Sequence, residues 1–189
     1  MTSEAGLWNV ANALTIVRLV LVPVFIACLL AGGTAWRLAA LATFCVASAT
    51  DVLDGRLARS RGLVTDFGKI ADPVADKALT GAALICLSAL GELPWWVTGV
   101  IMFREIGVTV LRFWVIRHGV IPASRGGKLK TLLQVLAISL YMLPGPPQWL
   151  REVVMAIAVV VTLVTGADYV VRAARLRRRP VRGRAGQVP

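Results

Sequence analysis

Long apolar runs, separated by short polar and turn-forming segments, divide this chain from near its start almost to its end. They extend from about Ala11 to Leu30, Leu38 to Arg59, Asp72 to Leu90, Trp95 to Ile116, Thr131 to Leu143 and Val153 to Val171. Most approach the roughly 20 residues that a helix needs to cross about 30 Å of hydrocarbon, so the pattern predicts six membrane-spanning helices. Turn signals stand between several of them: Ala-Gly-Gly-Thr from Ala31, Gly-Glu-Leu-Pro from Gly91, Ala-Ser-Arg-Gly-Gly from Ala123 and Pro-Gly-Pro-Pro from Pro144. The connections are short and no internal repeat or long linker splits the chain. The expectation is an all-α integral membrane protein: one six-helix domain over residues 1–173, followed by a basic tail over 174–189.

Composition supports that reading. The 189 residues are 57% hydrophobic and only 16% charged, with a mean hydropathy of +0.73. A soluble domain of this size would need a polar surface that these residues do not supply. The first run lacks the basic start and small-residue cleavage site of a signal peptide, so it is expected to be a retained helix.

Charge orients the spans. Arg56, Arg59, Arg61 and Lys69 cluster at the second connection, Arg117, Arg125, Lys128 and Lys130 at the fourth, and Arg172, Arg175, Arg177, Arg178, Arg179, Arg182 and Arg184 in the tail. The odd-numbered connections hold only Arg37 and Arg151. The excess of cytoplasmic Lys and Arg found in membrane proteins therefore places both termini and the even connections on the cytoplasmic side of the cell membrane. Trp36, Trp95, Trp96 and Trp149 fall at the opposite boundary, where an aromatic belt belongs. The net charge of +11 is accounted for by these connections and by a tail suited to anionic lipid headgroups, so no nucleic-acid partner is expected. Cys28, Cys45 and Cys86 lie within apolar runs without metal-ligand spacing and read as small core residues. His118 reads as a solvated residue of the fourth connection.

Carboxylates inside membrane helices are expensive and usually functional. Four cluster here. Asp51 and Asp54 stand at i, i+3, and Asp72 and Asp76 at i, i+4, so each pair shares a helical face, and a short connection makes the two helices antiparallel neighbours. Converging carboxylates repel one another, which favours shared protons or bound cations, and hard oxygen ligands suit magnesium or manganese. Gly55 follows Asp51 by one turn and Gly68 precedes Asp72 by one turn. Their missing side chains leave room for a ligand or for close helix packing. Ala58 extends the groove, and Arg59 can reach a phosphate or a carboxylate. Groove, cations and arginine together suggest a diphosphate.

These residues resemble the signature of the CDP-alcohol phosphatidyltransferase family. The run Asp51-Val-Leu-Asp54-Gly55-Arg-Leu-Ala58-Arg59, continued by Gly68, Asp72 and Asp76, matches it at every defining position. Asn12-Ala-Leu-Thr15-Ile-Val-Arg18, Asp72-Pro-Val-Ala-Asp76-Lys77, Arg104-Glu105 and Lys128-Leu-Lys130-Thr131 are similar to the branch that makes phosphatidylglycerophosphate. The resemblance implies a six-helix fold, usually a homodimer among membrane phospholipid, with its site open to the cytoplasm. It implies two divalent cations, Mg2+ or Mn2+, on Asp51, Asp54, Asp72 and Asp76, with Asp76 the base. It also implies a cytidine-diphosphate site of Asp51, Gly55, Ala58, Arg59 and Gly68, flanked by Asn12 and Thr15, which can equally act in capping or helix contact. The donor would be CDP-diacylglycerol and the acceptor glycerol 3-phosphate.

The acceptor's phosphate needs cations away from the metals. Arg104 and Arg112 in the fourth span and Lys128 and Lys130 at the start of the fifth are the candidates, together with Arg18 and Lys77, which can instead pair with carboxylates. Arg104 and Glu105 also read as a simple buried ion pair. Inositol phosphate, serine and phosphatidylglycerol stay open as acceptors. Two other classes use intramembrane acids. Prenyltransferases usually set two aspartate motifs on separated helices, and cation transporters favour broken helices at mid-bilayer. Asp168, late in the last span, reads as the partner of an unidentified basic residue.

Overall fold

In the computed structural model, the backbone is described over residues 10–61, 66–115 and 125–177, and side chains over 16–50, 77–111, 114 and 127–175. Within these residues the chain forms six helices and no strand: α1 (Val10–Ala31), α2 (Gly33–Arg61), α3 (Asp66–Ala89), α4 (Trp95–Val115), α5 (Arg125–Met142) and α6 (Gln148–Arg177). Each matches one apolar run. The helices outrun several of them: α3 starts before Asp72, α5 before Thr131, and α6 passes both ends of Val153–Val171. The turn signal from Ala123 is overrun as well: α5 begins at Arg125, so Lys128 and Lys130 belong to a helix rather than to a connection.

Local chemistry sets the turns. Gly91, at φ +75°, ends α3 where a residue with a Cβ would be strained. The Gly91 N–H donates to the Ser88 carbonyl and the Glu92 N–H to the Leu87 carbonyl, each at 3.0 Å, the paired bonds of a Schellman stop. Pro94 follows, and its carbonyl accepts from the Val97 N–H at 3.0 Å to start α4.

Going round the bundle, neighbours run α1, α3, α4, α6, α5, α2 and back to α1, while α2 and α3 also touch each other. The core joins Phe25 and Phe44, whose ring centroids are 5.8 Å apart, to Leu84, Leu87, Ile101, Ile138 and Met142. Ala40 and Ala47, both fully buried, let α1 approach α2 closely. Cys28 and Cys86 join this core, whereas Cys45 lies exposed on α2.

Polarity is inverted relative to a soluble bundle. Phe103 is 83% exposed and Leu132 65%, with Val20, Val46, Val110, Val160 and Val164 also outside. Arg18, Glu105, Lys130, Gln134 and Thr162 are buried. Apolar area on this scale fits lipid better than water. Among the described residues, one helix is long and apolar enough to cross a membrane: α6, over Gln148–Arg175, whose most apolar 18-residue stretch has a mean hydropathy of 2.1. Among the described residues, apolar stretches also occupy Ile16–Ala31 of α1 and Lys77–Ala89 of α3. Trp36, Trp95, Trp96 and Trp149 are all exposed, near the starts of α2, α4 and α6.

Candidate functional site

The α2 backbone carries Asp51, Asp54, Gly55, Ala58 and Arg59, and that of α3 carries Gly68, Asp72 and Asp76. Their side chains lie outside the described residues, as do those of Asn12, Thr15 and Arg112. No group of three or more potential metal ligands occurs among the described residues.

The described part of the site begins immediately after Asp76. Lys77 on α3, Arg104 on α4 and Lys130 on α5 converge on one carboxylate, that of Glu105 on α4. Glu105 is 8% exposed; its Oε1 accepts from Lys130 Nζ and from Arg104 Nη1 at 3.0 Å. Its Oε2 lies 3.5 Å from Lys77 Nζ. Each cation is mostly withdrawn from solvent, with side-chain exposures of 23% for Lys77, 12% for Arg104 and 9% for Lys130. A buried charge is tolerated only when paired, and among the described residues one carboxylate answers three cations.

The fourth wall comes from α6. Arg104 Nη2 donates to Thr165 Oγ1 at 3.0 Å, and Thr165 Oγ1 donates back to the Val161 carbonyl at 2.7 Å. Gly166 lets the arginine cross α6, since a Cβ there would stand 3.0 Å from Arg104 Cγ and 3.1 Å from Nε. One turn away, Gln134 Nε2 donates to Thr162 Oγ1 at 3.1 Å, joining α5 to α6. On the other side, Ser88 and Thr98 hydroxyls meet at 2.7 Å between α3 and α4.

Of the residues proposed to hold the acceptor's phosphate, Lys77, Arg104 and Lys130 meet. Lys128 is exposed on α5, since positions two apart on a helix point in different directions. Arg18 is 1% exposed, on α1. Arg104 and Glu105 do form an ion pair, but within a network wider than the pair. Glu105 was visible beforehand as an acid in the fourth span; Thr165 and Gly166 carry no charge and gave no such signal. Asp168 pairs with Arg172 one turn along α6 at 2.9 Å, on an exposed surface.

A second charged group lies at the bundle's other end. Arg37 on α2 makes a two-pronged contact with Glu92, at 2.5 and 2.6 Å, and donates to the Tyr141 carbonyl at 2.6 Å. The side-chain bond to Glu92 raises the Arg37 guanidinium above its already basic value, against partial burial. Arg151 lies over the Tyr141 ring, 5.6 Å from its centroid. Open recesses here are lined by Arg37, Glu92, Tyr141 and Arg151, with Arg37 and Glu92 paired to each other. This group reads as a latch joining α2, the α3–α4 turn and α5.

Comparison with known proteins shows the family. Residues 8–164 match the family model described as CDP-alcohol phosphatidyltransferase. A Mycobacterium tuberculosis (strain H37Rv) protein named probable phosphatidylglycerophosphate synthase is 55% identical over 180 residues, covering 93% of this chain and 86% of that one. The CDP-diacylglycerol–glycerol-3-phosphate 3-phosphatidyltransferase of Bacillus subtilis (strain 168) is 38% identical, covering 86% of this chain and 94% of its own. The protein of that name from Shigella flexneri is 35% identical, with coverages of 84% and 89%.

Proposed function

Since the chain belongs to the CDP-alcohol phosphatidyltransferase family, we propose that it transfers the phosphatidyl group of CDP-diacylglycerol to glycerol 3-phosphate, giving phosphatidylglycerophosphate and CMP in phospholipid biosynthesis. The relatives' names supply donor and acceptor. The observation that carries the acceptor in this chain is the cluster at Glu105, where, among the described residues, three cations surround one carboxylate. A neutral alcohol would have no use for that surplus positive charge, whereas a phosphate monoester would neutralise it.

The donor set fits two divalent cations: Asp51, Asp54, Asp72 and Asp76 supply hard oxygen ligands from two helices in contact. Bound there, Mg2+ or Mn2+ would offset the charge of the diphosphate. The chain's own residues do the rest. Gly55, Ala58 and Gly68 leave space for the cytidine diphosphate beside Arg59, with Asn12 and Thr15 at its edge. Asp76 takes the proton from the acceptor hydroxyl, whose oxygen attacks the lipid-side phosphorus as CMP leaves. Lys77, Arg104 and Lys130 hold the acceptor's far phosphate and so direct the hydroxyl toward Asp76.

The six helices cross the cell membrane with both termini and the site on the cytoplasmic side, a reading supported by the basic connections and the exposed apolar faces. The basic residues beyond the bundle lie against anionic lipid, and the working unit is a homodimer.

The test is CMP release by protein purified in detergent, supplied with CDP-diacylglycerol and Mg2+ or Mn2+. Glycerol 3-phosphate, inositol phosphate, serine and phosphatidylglycerol are offered in parallel. Release with glycerol 3-phosphate alone is expected. Release with another acceptor instead would overturn the acceptor assignment, and none with any from folded, metal-loaded protein would overturn the reaction.

A further inference from the structure

We infer that Glu105 is a positioning residue that gathers Lys77, Arg104 and Lys130 from three helices and sets their summed charge to suit a phosphate monoester dianion. The inference rests on the acceptor assignment above and adds a residue to it. A carboxylate repels phosphate, and both oxygens of Glu105 already face cations: Oε1 meets Lys130 and Arg104, and Oε2 meets Lys77. Its action on a substrate therefore passes through those neighbours.

Three consequences follow from the geometry. First, position: α3, α4 and α5 each contribute a long, flexible cation, and a shared buried anchor restricts all three at once. Second, capacity: an ammonium has three donors and a guanidinium five. The bonds to Glu105 and Thr165 use only part of that capacity. Third, charge: among the described residues, three cations less one carboxylate leave a surplus of two, which balances a phosphate monoester carrying about −1.5 to −2 at neutral pH. Without the carboxylate, the cations would repel one another and splay toward solvent.

The test uses the full chain in detergent, with glycerol 3-phosphate varied at saturating CDP-diacylglycerol and then the reverse. Glu105→Gln is expected to raise the KM for glycerol 3-phosphate about tenfold, the effect of losing one charge-assisted anchor, while the KM for CDP-diacylglycerol changes less than about twofold. If Glu105→Gln does not fold, Glu105→Asp carries the test. It keeps the charge but retracts it by one methylene, and a rise of about threefold or more is expected, again confined to the acceptor. Lys130→Ala separates the two levels of the argument. An acceptor KM raised by Lys130→Ala but unmoved by folded Glu105 variants would overturn the positioning role and leave the acceptor site standing. An acceptor KM unmoved in every variant would overturn both, and so would equal rises for both substrates.

Discussion

Replacing Gly166 by alanine should separate stability from acceptor use. The new Cβ would stand 3.0 Å from Arg104 Cγ and 3.1 Å from Arg104 Nε, against an ordinary carbon contact of about 3.5–4.0 Å. The arginine must therefore retreat by roughly half an ångström, away from the helix that carries Thr165. Its 3.0 Å bond to Thr165 Oγ1 is the contact most exposed to that movement, while the bond to Glu105 is made within α4. Interhelical polar bonds in membranes are worth about 0.6–2 kcal/mol. A loss near 1 kcal/mol would lower kcat/KM for glycerol 3-phosphate roughly fivefold. Stability should move little, because alanine gains up to about 1 kcal/mol over glycine inside a helix, which offsets the crowding. The assay is CMP release with glycerol 3-phosphate varied at saturating CDP-diacylglycerol, beside thermal unfolding in the same detergent. A folded variant with unaltered acceptor kinetics would refute the role given to Arg104. A loss of stability of several kcal/mol would refute the packing argument.

Two further expectations concern opposite ends of the bundle. A double-mutant cycle of Arg37→Ala and Glu92→Ala should give a coupling of about 1–2 kcal/mol in unfolding, below the full value of a charged bidentate pair because both side chains are about a quarter exposed. The substrates' KM values should not change, and zero coupling would remove the latch. Asp51→Asn and Asp72→Asn should each abolish CMP release and weaken Mn2+ binding, measured by calorimetry on protein that still elutes as a folded species. Full activity in either would end the two-metal assignment.

The number of helices and their approximate places were legible in the chain because apolar run length and turn chemistry are local properties. Gly91, Pro94 and the Pro144–Pro147 segment stop and start helices wherever the bundle puts them. The aspartate motif was legible for the same reason: its i, i+3 and i, i+4 spacing needs only a helix to bring each pair to one face. Sequence also marked Arg104, Glu105 and Lys130 as costly charges in or beside apolar spans.

Which of those charges meet was decided by tertiary structure. Lys128 and Lys130 are equivalent as local signals, yet the rotation of α5 against α4 buries one beside Glu105 and exposes the other. Helix phase depends on the packing of all six elements, and no local pattern encodes it. The same holds for Thr165 and Gly166, a hydroxyl and a missing side chain that become significant only because α6 packs against α4 where Arg104 crosses. Arg37 and Glu92, distant in sequence, show the rule at the other end of the bundle: a charge is visible in the chain, but its partner is chosen by the fold.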